Sequence, residues 1–178
     1  MRELSLHVLD IAQNSISAGA ALIKISVDED VQSDCLTLCI GDNGRGMTEE
    51  QAARVSDPFY TTRTTRKVGL GVPLFRMAAE MTGGDFSVKS QPGLGTTVTA
   101  RFVTSSIDMI PLGDINSTVS LLIRCNPEID FIFRRSLNGN SFTLDTRELK
   151  ETLGPQVPLD TQEVMEWIEG YLTEQTQI

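Results

Sequence analysis

Between Leu6 and Ala20 the sequence LHVLDIAQNSISAGA admits few structures. Wound as a helix at about 100° per residue, it sets His7, Asp10 and Asn14 within about 60° of one another and Leu9, Ala12 and Ile16 on the opposite side. Such a helix needs an apolar layer beneath it and carries a polar chemical face outside. An Asp one turn before an Asn suits a hard cation such as Mg²⁺, which takes oxygen ligands, keeps several waters and is usually shared with substrate phosphates. Taken alone, the same spacing also describes an amphipathic helix half in water.

Three glycine-bearing stretches follow at regular distances: IGDNGRGM (Ile40 to Met47) after an apolar run, KVGLGVPLFRMAAEM (Lys67 to Met81) opening a helix, and QPGLGTTVTARF (Gln91 to Phe102) opening a strand. In order and spacing, these and the first helix resemble the ATP-binding motifs of the GHKL superfamily, which groups DNA gyrase, heat-shock chaperones, histidine kinases and MutL. The resemblance covers about Leu4 to Val103 and implies the Bergerat fold. The arrangement is closest to a stand-alone histidine-kinase-like ATPase domain. It is also similar to stand-alone bacterial ATP-binding proteins encoded beside iron hydrogenase subunits, which implies a redox enzyme as partner.

The resemblance assigns roles residue by residue. It makes Asn14 the residue that bridges Mg²⁺ to the triphosphate, with Asp10 beside it as the group that activates water or orients an acceptor hydroxyl. Gyrase, MutL and the chaperones carry a Glu there, one methylene longer, and histidine kinases an Asn. Asp42 would accept from the adenine amino group with Thr96 as its partner, Gly44 and Gly46 would let the backbone pass close to the base, and Met47 would lie against the ring. An Asn-Gly turn between strand and helix is the structural alternative for that loop. Gly69, Leu70 and Gly71 open a helix whose amides and dipole suit phosphate oxygens. DPFYTT (Asp57 to Thr62) resembles the lid of nitrogen-regulator-type kinases, with Phe59 packed under it, and Lys67 stands where those kinases carry a further glycine. His7, the only histidine, is expected as a hydrogen-bonding neighbour of the site rather than a phosphate acceptor.

Composition excludes several classes. A net charge of −9 opposes a sequence-independent grip on nucleic acid, which needs a basic footprint. Arg54, Arg63, Arg66 and Lys67 form a local positive island against Asp57. No apolar run approaches the roughly 18 residues of a membrane span, and the N-terminus lacks a signal-peptide core, so a cytoplasmic protein without a membrane partner is expected. Cys35, Cys39 and Cys125 read as buried reduced thiols, the first two on one face of a strand.

Periodicity and turn signals predict a helix from Leu4 to about Ser17, strands over Ala21 to Val27 and Leu36 to Gly41, and a helix capped by Thr48. A helix from Val72 to Met81 and a strand hairpin, Phe86 to Ser90 with Thr96 to Val103, follow. The expected fold is an α+β two-layer sandwich with a mixed, mostly antiparallel sheet and helices on one face. Residues 1–105 form the ATP-binding domain and 106–178 a small acidic α/β extension. In the latter, Ser106 to Leu112 is linker-like, Asp114 caps a helix to about Cys125, an Asn-Gly hairpin joins Ile129 to Arg135 with Ser141 to Asp145, and Thr146 and Asp160 cap two last helices. From Asp108 onward, twelve acids oppose five bases, and no catalytic constellation is found there; the extension is either a structural cap on the sheet or a docking module.

A phosphoacceptor helical hairpin and a transducer domain are both missing from the sequence, so neither a self-contained sensor kinase nor a gyrase-type engine is expected. Two functions remain: Mg-ATP-dependent transfer of phosphate to, or regulation of, an unidentified protein partner in trans, or an ATP-gated protein-binding switch or slow ATPase without kinase activity.

Overall fold

The computed structural model describes residues 2–57 and 70–177. Six strands form one sheet: β1 (Leu22–Asp30), β2 (Cys35–Asp42), β3 (Asp85–Gln91), β4 (Gly95–Val103), β5 (Asp130–Leu137) and β6 (Asn140–Asp145), in the order β3-β4-β2-β1-β5-β6. Every neighbouring pair is antiparallel except β1 and β5, which run parallel. The α+β sandwich with a mixed, mostly antiparallel sheet is therefore the fold.

Alternation decides which side is covered. Ile23, Ile25 and Val27 of β1, Leu36, Leu38 and Ile40 of β2, Val98, Ala100 and Phe102 of β4, and Phe131 and Phe133 of β5 are all buried, and register places them on one face. Helices α1 (Leu4–Ser17), α3 (Gly71–Met81) and α4 (Ile115–Cys125) pack on this layer; α6 (Gln162–Gln175) packs against α4. Phe75 of α3 is fully buried, 6.0 Å from the Phe102 ring and 6.2 Å from Phe86.

Local signals explain the element ends. The short helix α2 (Glu49–Arg54) begins with a capping box, Gln51 N–H donating to Thr48 Oγ1 and Thr48 N–H to Gln51 Oε1, so both otherwise orphan donors are satisfied. Asp114 caps α4 by accepting from Ser117 N–H at 3.0 Å.

Several expectations are corrected. β1 does not stop at Val27: Asp28, Glu29 and Asp30 pair with Thr37, Leu36 and Cys35, because continuing the ladder outweighs their low strand propensity. The helix α5 (Thr146–Leu153) is capped by Asp145, not Thr146, whose buried hydroxyl instead accepts from Phe131 N–H. α6 starts after Thr161 rather than Asp160. Cys35 and Cys39 are only half-buried and Cys125 is exposed; all three are free thiols.

The face of α1 that meets the core is also rotated from the expected one. Leu4, Val8, Ile11, Ala12 and Ser15 are buried, while Leu9 and Ile16 are partly covered. His7 belongs to the covered side, 3% exposed and stacked on Phe75 at 5.6 Å.

The C-terminal portion attaches through the main sheet. β5 lies along β1, β6 forms the new edge, and one hydrophobic core runs from Leu4 to Leu172. The linker-like passage is tied down as well, Leu4 N–H donating to Pro111 O and Ser5 N–H to Leu112 O.

Candidate functional site

The end of β2 delivers Asp42 to the edge of the helical layer. Ser15 Oγ donates to its Oδ2 at 2.6 Å and Gly44 N–H to its Oδ1 at 2.8 Å. One hydrogen bond on each oxygen fixes the carboxylate plane and leaves further lone pairs available. Across the sheet Asp42 pairs with Thr96. Thr96 Oγ1 lies 2.8 Å from Ser90 Oγ, which donates to Gly95 O and accepts from Met47 N–H at 2.8 Å. Asp42, Met47 and Thr96 are thus brought together, and Ser90 is the knot that joins them.

The loop after Asp42 is held on both sides. Asn43 Oδ1 accepts from Ala21 and Leu22 N–H, Arg45 N–H donates to Ala18 O, and Gly93 N–H donates to Arg45 O. Its glycines serve these contacts. A Cβ on Gly44 would sit 2.8 Å from Ala18 O, and Gly46, at φ +70°, would place one 1.9 Å from Gln91 O. In this structure the close approach that these glycines permit is therefore to neighbouring backbone.

Asp10 and Asn14 stand one turn apart on α1. The start of α3 lies against Asp10: a Cβ on Gly71 would be 3.3 Å from Asp10 Cβ and 3.8 Å from its Oδ2. The start of α3 at Gly71 is thus within van der Waals reach of the Asp10 side chain. Burial pushes the Asp10 carboxyl above its ordinary range, the direction a general base requires. Asn14 is exposed. Leu70 and Gly71 are thus beside Asp10, whereas Phe59, Lys67 and Gly69 lie outside the described residues. Of the positive island, Arg54 pairs with Glu50 at 3.4 Å.

His7 is not a member of this polar group. Its imidazole is buried, Nδ1 has no hydrogen-bond partner among the described residues, and burial, with the N-terminal amine adding to it, lowers its pKa to about 4. An imidazole this buried and stacked on Phe75 belongs to the core and not to the polar face of α1.

Ser15 and Ser90 escaped the sequence reading. A serine at the centre of the apolar stripe of α1 was the available signal for the first. The second follows only from the β3–β4 register, which sets Ser90 opposite Thr96.

A divalent ion would find the Asp10 carboxylate and the Asn14 amide oxygen on α1, and no group of three or more His, Cys, Asp or Glu occurs among the described residues. That donor set fits Mg²⁺ shared with phosphates and does not fit a closed protein cage. Among the described residues no helix is long and apolar enough to cross a membrane.

Comparison with known proteins bears on the family and the fold. The chain is 36% identical over 92 residues to the sensor protein kinase FleS of Pseudomonas aeruginosa, covering 52% of this chain and 23% of that protein. It is 31% identical over 106 residues to the non-motile and phage-resistance protein of Caulobacter vibrioides, covering 54% and 13%. The chain thus spans less than a quarter of the length of either relative. Among solved structures, the Aquifex aeolicus MutL ATPase domain complexed with ADP superposes with a TM-score of 0.52 at 14% identity, over 86% of this chain and 68% of that one. The N-terminal domain of a DNA repair protein gives 0.55 at 15%, over 82% and 53%. The family described as histidine kinase-, DNA gyrase B- and HSP90-like ATPase matches residues 2–106. With more than half of the chain matched and the fold in agreement, this protein belongs to that ATPase family.

Proposed function

We propose that the chain binds Mg-ATP between α1, the Asp42–Met47 loop and the start of α3, and that it transfers phosphate to, or regulates, a partner protein in trans. ATP binding is supported by the family and by the sensor-kinase relatives. The observation that carries the site is the Asp42 carboxylate, oriented by Ser15 and Gly44 beside Thr96. A fixed carboxylate with free lone pairs suits an exocyclic amine, which distinguishes adenine from guanine.

In this reading Asn14 and Asp10 hold Mg²⁺, which when bound would neutralise charge on the triphosphate. By the family resemblance, Gly69, Leu70, Gly71 and Lys67 receive the phosphates and Phe59 belongs to the lid. Phosphoryl transfer is mostly positioning and charge stabilisation, so these groups suffice once a partner supplies the acceptor. The resemblance to proteins encoded beside hydrogenase subunits makes a redox enzyme the first partner to try.

One observation favours a second reading. Asp10, its carboxyl pKa raised by burial against the start of α3, is equipped to activate water, which would make the chain a slow ATPase or an ATP-gated switch.

The test is incubation of the protein with γ-labelled ATP and Mg²⁺, following bound ATP, released ADP and label on protein. Label moving to added partner protein supports transfer, phosphate released to water supports the ATPase reading, and bound intact ATP supports the switch. Asp42→Ala should abolish ATP binding and Asn14→Ala its Mg²⁺ dependence; unchanged affinity in both overturns the site.

A further inference from the structure

Beyond the nucleotide domain, the C-terminal portion carries a feature that the ATPase fold does not account for. Between α5 and the first half of α6 runs a groove of about 1030 Å³, floored by Leu149, Leu153, Val157 and Val164 and flanked by Trp167. Three of its apolar residues are open to solvent, Leu153 at 36%, Val157 at 38% and Trp167 at 52% exposure, while Val164 is buried beneath them. An exposed tryptophan is unusual in a domain with one Trp in 178 residues. This one is stacked on Tyr171 at 5.2 Å and 10°, which meets Phe142, which in turn meets Phe133 in the core. A large ring pre-ordered at the rim of an apolar groove is the usual anchor of a protein interface.

Charge decides what fits. The charged residues lining the groove are Glu163 and Glu166, both acids. The nearby bases are already engaged: Arg147 with Asp145, Lys150 with Asp130 and Arg124 with Glu169. The whole portion from Asp108 carries a net −7.

From this apolar floor, aromatic anchor and acidic rim we infer a docking groove for a Lys- and Arg-rich amphipathic segment of a partner protein, its apolar face on Leu153 and Trp167 and its cations on Glu163 and Glu166. Two flanking helices offer the helix-in-groove mode, which reads apolar anchors at i, i+3, i+4 and i+7. The site is independent of nucleotide, so its success or failure says nothing about ATP binding.

The probe is a labelled peptide of about 14 residues, some 21 Å as a helix, with Leu on one face and Lys elsewhere. Controls are a scrambled peptide of the same composition and a Leu/Glu counterpart. Binding to the full chain is followed by peptide anisotropy and by Trp167 emission, at low salt and at about 0.15 M. The expected result is saturable binding that shifts Trp167 emission and weakens with salt. It should fall about tenfold in Glu163→Gln/Glu166→Gln and about thirtyfold in Trp167→Ala, with both variants retaining far-UV circular dichroism. Equal binding of the scrambled or Leu/Glu peptide, unchanged affinity in the variants, or an emission shift that follows self-association instead of peptide overturns the proposal.

Discussion

His7 makes this protein acid-sensitive by an amount that can be worked out. Its ring is buried on Phe75, Nδ1 has no partner among the described residues, and burial pushes its pKa down to about 4 from an ordinary 6.5. In the unfolded chain the imidazole takes a proton near its ordinary pKa; in the folded chain it does so only near 4. Between those values the unfolded state binds more protons, so stability falls as pH falls. The full penalty, reached below both pKa values, is about 3 kcal/mol, and about 2 kcal/mol of it is lost between pH 7.5 and 5. Above pH 7 the group has no effect. The perturbation is His7→Phe, or His7→Leu, which keeps an apolar body against Phe75 and cannot titrate. Urea unfolding of wild type and variant at several pH values between 7.5 and 4.5 isolates the His7 contribution, because the carboxylates titrate in both proteins. The wild type should lose about 2 kcal/mol more than the variant on going from pH 7.5 to 5. Parallel stability curves would refute the burial argument and reopen His7 as an accessible group.

Three further outcomes test the site and the fold. Ser15→Ala removes a 2.6 Å hydrogen bond to the Asp42 carboxylate; ATP affinity by calorimetry should fall about tenfold, hydrogen bonds to charged groups contributing roughly 1.5–3 kcal/mol, and the margin for ATP over GTP should narrow. Asp10→Asn should retain ATP binding and lose turnover. Phosphate release unchanged by this substitution would remove Asp10 as base. Gly46→Ala should cost more than about 3 kcal/mol, since its Cβ meets Gln91 O at 1.9 Å at a φ of +70°. Gly93→Ala, at φ +79° with open space around it, should cost only about 1 kcal/mol in the same denaturant titration.

Much of the fold was legible because its signals are local. Thr48 with Gln51 three residues on, Asp114 before Ser117, and the Asn138-Gly139 turn each specify an element end through hydrogen bonds made within a few residues. Strand alternation likewise located Ile23, Ile25 and Val27, because a period of two needs no knowledge of the partner. The errors fell where a distant group intervened. Asp28 to Asp30 were drawn into β1 by Leu36 and its neighbours. Thr146 was taken from its helix cap by the backbone of Phe131, fifteen residues away.

The candidate site divides along the same line. Helical spacing pointed to Asp10 and Asn14, and the family resemblance, carried by short motifs, pointed to Asp42 and Thr96. Which of them meet was a tertiary matter. Register across the sheet set Asp42 beside Thr96 and Ser90, and the packing of α3 on α1 brought Gly71 against Asp10. The rotation of α1 was decided in the same way: a hydrophobic stripe shows that a helix has a buried side, but Phe75 and the sheet chose which residues occupy it. They took His7 into the core and turned Ser15 toward Asp42. Local pattern determined the elements and the chemical groups of this protein; only long-range packing, whose energies depend on neighbours far off in the chain, decided how those groups face one another.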